Sequence, residues 1–322
     1  MNKSTASDYC VFIHTNHKQW VGALVSQYSM KRNSAHGDRF DVRIIHHKDY
    51  PFFQEMEGKP FLRDGVERIW HNEDLQSFTP LRFMPPELMN YQGKAVVVDP
   101  DIFAVSDVWE LLSRDMQGKT IWCRPRSGPK WWIDKCYASS VMLLDCAKLT
   151  HWRCEEQFRA MFAFELDYVD WIGLRNEPKE NIGLLEPEWN DFDRLTPNTK
   201  LLHNTRRLTQ PWKTGLPIDW TPADRFRLFP PIGWLMRTRR RLFGDHAFLG
   251  TYRLHPDRNQ ENLFFGLLRE CLEQGIVTED LLREEMRRNH IRHDAFQVLE
   301  KTPPLGPPGD PMNTGRFQQQ AA

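Results

Sequence analysis

Short apolar runs alternate with helix-patterned polar stretches through the first two-thirds of the chain, the pattern of an α/β domain. Tyr9-Cys10-Val11-Phe12-Ile13 reads as a buried first strand, followed by polar His14-Thr15-Asn16-His17. Trp20, Val21, Leu24 and Tyr28 then fall on one stripe at helical spacing. Val42, Ile44 and Ile45 suggest a second strand. Ala95-Val96-Val97-Val98 is a third, wholly apolar, as a strand covered on both faces must be. Further strands are expected at 120–123, 141–144, around 183–185 and at 200–202.

Beyond about Trp220 the texture changes. Pro230 and Pro231 lead into Trp234-Leu235-Met236 and the cluster Arg237, Arg239, Arg240, Arg241. Leu263, Phe264, Leu267, Leu268, Cys271 and Leu272 keep a helical spacing, and Thr278 followed by Glu279 and Asp280 reads as the N-cap of another helix. The chain therefore divides into a main domain over 1–225, a basic and helical extension over 226–301, and a Pro/Gly-rich tail over 302–322, expected to be disordered.

A length of 322 residues suffices for one large core, or for one domain with an appendage. Lysine plus arginine and aspartate plus glutamate both number 43, so nothing global attracts nucleic acid and any anion site is local. Cys10, Cys123, Cys136, Cys146, Cys154 and Cys271 show no zinc-ligand spacing and read as reduced, buried thiols. No stretch has the length of a membrane span or a secretory signal, and the expectation is a cytoplasmic protein.

The most informative residues are Asp99-Pro100-Asp101, directly after the third strand. On an extended segment two carboxylates two apart point to opposite faces; a turn pre-set by Pro100 lets both reach one ion. Ligands of open α/β sheets gather beyond the carboxyl ends of strands, and hard oxygen ligands suit Mg²⁺ or Mn²⁺ bridged to phosphates. Other segments fall into line with this pair. Leu81-Arg82-Phe83 with Pro86-Glu87-Leu88 precedes it, and Asp107-Val108-Trp109-Glu110-Leu111 follows. Later come Ser139-Ser140-Val141-Met142, Pro187-Glu188-Trp189-Asn190, and His203 with Pro211-Trp212-Lys213. In this order the motifs resemble those of glycosyltransferase family 8, the group of glycogenin and the bacterial lipopolysaccharide galactosyltransferases. The likeness runs from about Tyr9 to Lys213.

The resemblance implies a GT-A fold over 1–225, with a mixed central sheet flanked by helices, and transfer of a sugar from a UDP-sugar with retention at the anomeric carbon. It implies Asp99, Asp101 and His203 as ligands of Mn²⁺ or Mg²⁺. Lys213 would donate to the diphosphate, Arg82 would contact the donor near its diphosphate or sugar, and Thr15 and Asn16 would hold the nucleotide. Asp170 is the carboxylate implied near the sugar. The chain departs from the family pattern at Ala138 and Ser140, where asparagine and glycine are usual, and at Asp170-Trp171 or, less well spaced, Asp167-Tyr168, where Asp-Gln is usual. These departures leave open a relative that binds a nucleotide-sugar, or only a membrane partner, without transfer. The acceptor, whether glycan, lipid or protein, is not legible. Trp131-Trp132 reads either as an acceptor platform or as a loop anchor. The 234–243 segment reads as a contact for an anionic membrane, a packed helix with a solvated arginine face, or, least of all, a nucleic-acid patch.

Overall fold

The computed structural model describes residues 8–126, 137–220 and 249–312, together with Leu235, Thr238, Arg239, Leu242 and Phe243. Cys136 and the Trp131-Trp132 pair lie outside the described residues, as does most of the 234–243 segment.

Six strands form the central sheet: β1 (Tyr9–Thr15), β2 (Asp41–His46), β5 (Lys94–Val98), β7 (Ile121–Pro125), β8 (Tyr137–Asp145) and β9 (Ile182–Leu184), in the order β2-β1-β5-β8-β7-β9. β1 runs parallel to β2 and β5, β8 is antiparallel to β5 and β7, and β9 is parallel to β7, so the sheet is mixed. Period-two alternation decides which face each residue serves. Ala95 and Val97 join a core with Phe12, Phe53, Met142 and Trp152 on one face. Val96 and Val98 join Ile13, Val141, Leu143 and Trp189 on the other. Both faces are covered, as the unbroken valine run of β5 requires. The five described cysteines are free and buried, and burial pushes the thiols of Cys10, Cys146 and Cys271 up to about 12.

A second, three-stranded sheet places the chemistry. β6 (Ile102–Ala104) follows β5 after the Asp99-Pro100-Asp101 turn, and pairs antiparallel with β11 (Leu201–His203), which β10 (Asp191–Phe192) flanks. In that register His203 lies opposite Ile102, one residue from Asp101. The turn is held from below by helix α1 (Trp20–Arg32). A Cβ on Gly22 would stand 2.9 Å from the Pro100 carbonyl oxygen, so only glycine lets helix and turn approach this closely.

Three helices at the C-terminal end, α2 (Arg258–Glu273), α3 (Glu279–Arg287) and α4 (Ala295–Lys301), close a third core against α1. Leu263, Phe264, Leu267 and Leu268 pack there with Val21, Val25, Phe103 and Trp212, so this part of the extension shares its core with the main domain. Thr278 caps α3 by accepting from the Leu281 N–H at 3.2 Å, as its sequence context suggests. The tail does not run free from Thr302. Arg32 donates to the Gly306 carbonyl at 2.8 Å and Asn33 accepts from the Gly309 N–H at 3.0 Å, so 302–312 lies along the end of α1. The expected disorder does not extend over 302–312, because Arg32 and Asn33 hold the backbone and Leu305 and Met312 pack on the third core.

The hairpin of β3 (Pro60–Arg63) and β4 (Val66–Ile69) was not signalled by apolar alternation; its cue is Asp64-Gly65, both at positive φ. None of the described helices is long and apolar enough to cross a membrane.

Candidate active site

Beyond the carboxyl end of β5 lies a cleft of about 460 Å³, lined among others by Asp99, Asp101, Arg82, Ser139, Ser140, His203, Arg207 and Gln210. A larger cavity of about 730 Å³ sits between residues 105–114, 186–200 and 309–312. There Lys200 pairs with Glu110 and Arg114 with Glu186, and the Asp99, Asp101 and His203 group is absent, so the smaller cleft is the candidate site.

Asp99 is buried and fully engaged. Arg82, in the tight turn Thr79–Phe83, meets both carboxylate oxygens, with Nε 2.9 Å from Oδ1 and Nη2 2.5 Å from Oδ2. Its Nη1 donates to Ser139 Oγ at 2.9 Å. His14, at the end of β1, places Nε2 2.8 Å from Asp99 Oδ1. Burial pushes the Asp99 carboxyl up, but the Arg82 charge and the His14 hydrogen bond outweigh it and hold the group well below the carboxylate range. Burial also lowers His14 despite Asp99, and Arg82 Nε lies 3.3 Å from the same His14 Nε2.

Asp101 is different. Its Oδ2 accepts from Gln210 Nε2 at 3.0 Å, while its Oδ1 is buried without a hydrogen-bond donor. His203 Nε2 lies 3.3 Å from that oxygen without hydrogen-bond geometry. The reason lies on the other side of the ring. His203 Nδ1 meets Asn190 Oδ1 at 2.9 Å, and Asn190 Nδ2 donates to Ser140 Oγ at 3.0 Å, which sets the amide orientation. In the neutral ring this places the proton on Nδ1 and leaves the Nε2 lone pair facing Asp101. Such an outer hydrogen bond is the arrangement that orients metal-bound histidines.

One ligand atom each from Asp99, Asp101 and His203 lies within 4.8 Å of the other two. An orphaned buried carboxylate oxygen, a bare imidazole nitrogen and a second carboxylate with spare lone pairs fit a Mn²⁺- or Mg²⁺-sized cation. Of the sequence-derived site residues, Asp99, Asp101, His203 and Arg82 come together.

The others do not meet them directly. Lys213 is fully buried in the turn Pro211–Lys213, its Nζ 2.9 Å from Asp219 Oδ2, and Tyr252 OH donates to the other Asp219 oxygen at 2.5 Å. Asp170 is not among the residues lining the cleft, and it pairs with Arg175 at 2.6 Å. Trp171 stacks on Phe83, ring centroids 4.5 Å apart, in the core behind Arg82. Thr15 is buried and donates to the Asn16 carbonyl. Asn16 ties down the 74–77 loop, donating to the Asp74 and Leu75 carbonyls and to Ser77 Oγ, so it shapes the cleft wall from behind.

Asn190 and Gln210 take part without having been singled out. The first stands inside Pro187-Glu188-Trp189-Asn190, and the second directly precedes Pro211-Trp212, so motif membership was their available signal. Ser140, one of the departures from the family pattern, is the acceptor that fixes Asn190.

No family model matches the chain, and no curated protein matches it. Among solved structures it is similar to the WbbM bifunctional glycosyltransferase in its apo form, at 12% identity and a TM-score of 0.46 over 66% of this chain and 48% of that one. It is also similar to the apo glycosyltransferase GlyE of Streptococcus pneumoniae TIGR4, at 12% identity and a TM-score of 0.46 over 83% of this chain and 64% of that one. The galactosyltransferase LgtC, solved with donor and acceptor sugar analogs, follows at 11% identity and 0.42, over 63% and 88%. The chain thus spans less than two thirds of the WbbM and GlyE chains. All three of those proteins are glycosyltransferases.

Proposed function

We propose that this protein is a metal-dependent glycosyltransferase that takes a sugar from a UDP-sugar and passes it to a hydroxyl of a glycan, lipid or protein acceptor. The observation that carries the reading is the convergence of Asp99, Asp101 and a tautomer-fixed His203 on one side of a cleft. Mn²⁺ or Mg²⁺ held by these residues would supply Lewis-acid stabilisation of a leaving diphosphate. The chain's own contributions follow from the geometry. Arg82 and His14 keep Asp99 ionised inside the protein. Asn190 keeps the His203 lone pair pointed at the carboxylates, and Gln210 holds Asp101 in place. Transfer with retention, and uridine as the base, are carried by the family resemblance.

The test is thermal unfolding with Mn²⁺ and each of UDP, GDP, CDP and ADP. A ligand at a hundred times its dissociation constant adds roughly 2.7 kcal/mol, which is several degrees for a chain of this size. The expected result is a rise for UDP that disappears with EDTA; equal midpoints under all conditions contradict the donor site.

A second reading, a nucleotide-sugar binder without transfer, is favoured by one observation: beside Asp99 and Asp101, no other carboxylate lines the cleft among the described residues. Release of UDP from a donor separates the two.

A peripheral contact with an anionic membrane belongs to the same proposal. Leu235, Leu242 and Phe243 are exposed and stand among Arg237, Arg239, Arg240 and Arg241. Flotation with anionic vesicles, and not with neutral ones, is the expected result; full recovery in the soluble fraction with both contradicts it.

A further inference from the structure

Arg207 brings to the cleft a guanidinium that no anion among the described residues meets. It starts the turn Arg207–Thr209 and lines the cleft with Gln210. Its guanidinium carbon stands 5.1 Å from the centroid of the Trp220 ring. Among the described residues its side chain makes no hydrogen bond and no ion pair. Burial lowers its pKa, and the charges of Asp74 and Asp101 resist from beyond contact. Arg207 is half-buried, and a partly desolvated cation without a counter-ion is a candidate to receive an anionic ligand.

The other cations around the cleft are taken. Arg82 is committed to Asp99 and Ser139, and Arg126 has its own partner. Lys213, the lysine that the motif resemblance assigns to the diphosphate, is enclosed with Asp219 and Tyr252. The pair of Asp99 and Arg82 is neutral as a unit, which leaves Asp101 and Arg207 as cleft charges without an ion-pair partner of opposite formal charge among the described residues. A divalent cation at Asp101 adds two positive charges, and the balancing ligand is strongly anionic.

We infer that Arg207 receives the pyrophosphate oxygens of a nucleoside diphosphate, in the role that the motif resemblance gives to Lys213. The inference rests on the donor-site reading above. A planar guanidinium offers paired N–H groups that match phosphate oxygens two at a time, and Trp220 beside it restrains its plane. Lys213 then serves the fold, through Asp219, rather than the ligand.

The experiment is titration calorimetry of UDP in saturating Mn²⁺ against wild type, Arg207→Gln and Arg207→Lys, with uridine binding followed by ligand-observed NMR. Loss of charge-assisted phosphate contacts is expected to weaken UDP by about 10- to 100-fold in Arg207→Gln. Uridine should bind all three proteins within about twofold, and Arg207→Lys should recover part of the UDP affinity as a point charge. Unchanged thermal midpoints check that the variants fold. Equal UDP affinity in wild type and Arg207→Gln overturns the assignment, as does an equal loss for uridine, which makes Arg207 a wall residue. Wild type that binds no UDP in Mn²⁺ strikes the donor reading itself, an outcome distinct from indifference of the variants.

Discussion

Asp101→Ala is expected to abolish the response to metal and nucleotide while leaving the fold intact. Asp101 Oδ1 has no hydrogen-bond donor, and Oδ2 holds only the Gln210 amide among the described residues, so little internal structure depends on the side chain. Removing it deletes the least engaged ligand of the three and leaves Asp99, whose oxygens already accept from Arg82 and His14, with His203. Losing the Lewis acid costs several kcal/mol of transition-state stabilisation, so turnover of a UDP-sugar should fall by about 10³-fold. The thermal midpoint without ligand should stay within a few degrees of wild type. A variant that still shows the Mn²⁺-dependent UDP shift would place the cation elsewhere.

Arg82→Met carries the largest expected effect on stability. It leaves the Asp99 carboxylate buried with His14 as its nearest remaining partner, and breaking a buried ion pair from one side costs about 3–5 kcal/mol. The loss should depend on pH with a definite sign. In wild type the folded pKa of Asp99 is depressed, so its contribution is fully present above the unfolded value of about 3.9 and is lost as pH falls below that toward the folded value. Without Arg82 the desolvated carboxyl moves up, and the protonated form becomes the one that the fold tolerates. Urea unfolding should therefore show the full gap between the proteins at pH 7 and a smaller one at pH 3. The same gap at both values would mean that Arg82 matters through packing and not through the Asp99 charge.

What was legible in the sequence follows from how local each signal is. The Ala95–Val98 run, the apolar 141–144 run in β8 and the Thr278 cap are each decided by neighbours in the chain, and each stands where its pattern indicates. Asp99-Pro100-Asp101 was legible because a strand end followed by a proline turn is itself a local feature. His203 needed the motif order, since its meeting with Asp101 depends on pairing between β6 and β11, about a hundred residues apart. The roles of Asp170 and Lys213 depend on which way a side chain leaves a short turn. Both found partners close in sequence, Arg175 and Asp219, which composition alone does not distinguish from a ligand. Arg207 carried no motif signal, because its meaning lies in what it lacks across the cleft. The ordered stretch to Met312 depends on Arg32 and Asn33, which are far away along the chain and invisible to a reading of the tail by itself.

The most direct test of the account is release of UDP from a panel of UDP-sugars by the full chain, with Mn²⁺ or with EDTA, and with a mixed pool of glycan, lipid and peptide acceptors. The account predicts release from at least one donor that requires the metal and is lost in Asp101→Ala. Release that persists in EDTA, or no release from any donor with metal present, would contradict a metal-dependent sugar transferase at Asp99, Asp101 and His203.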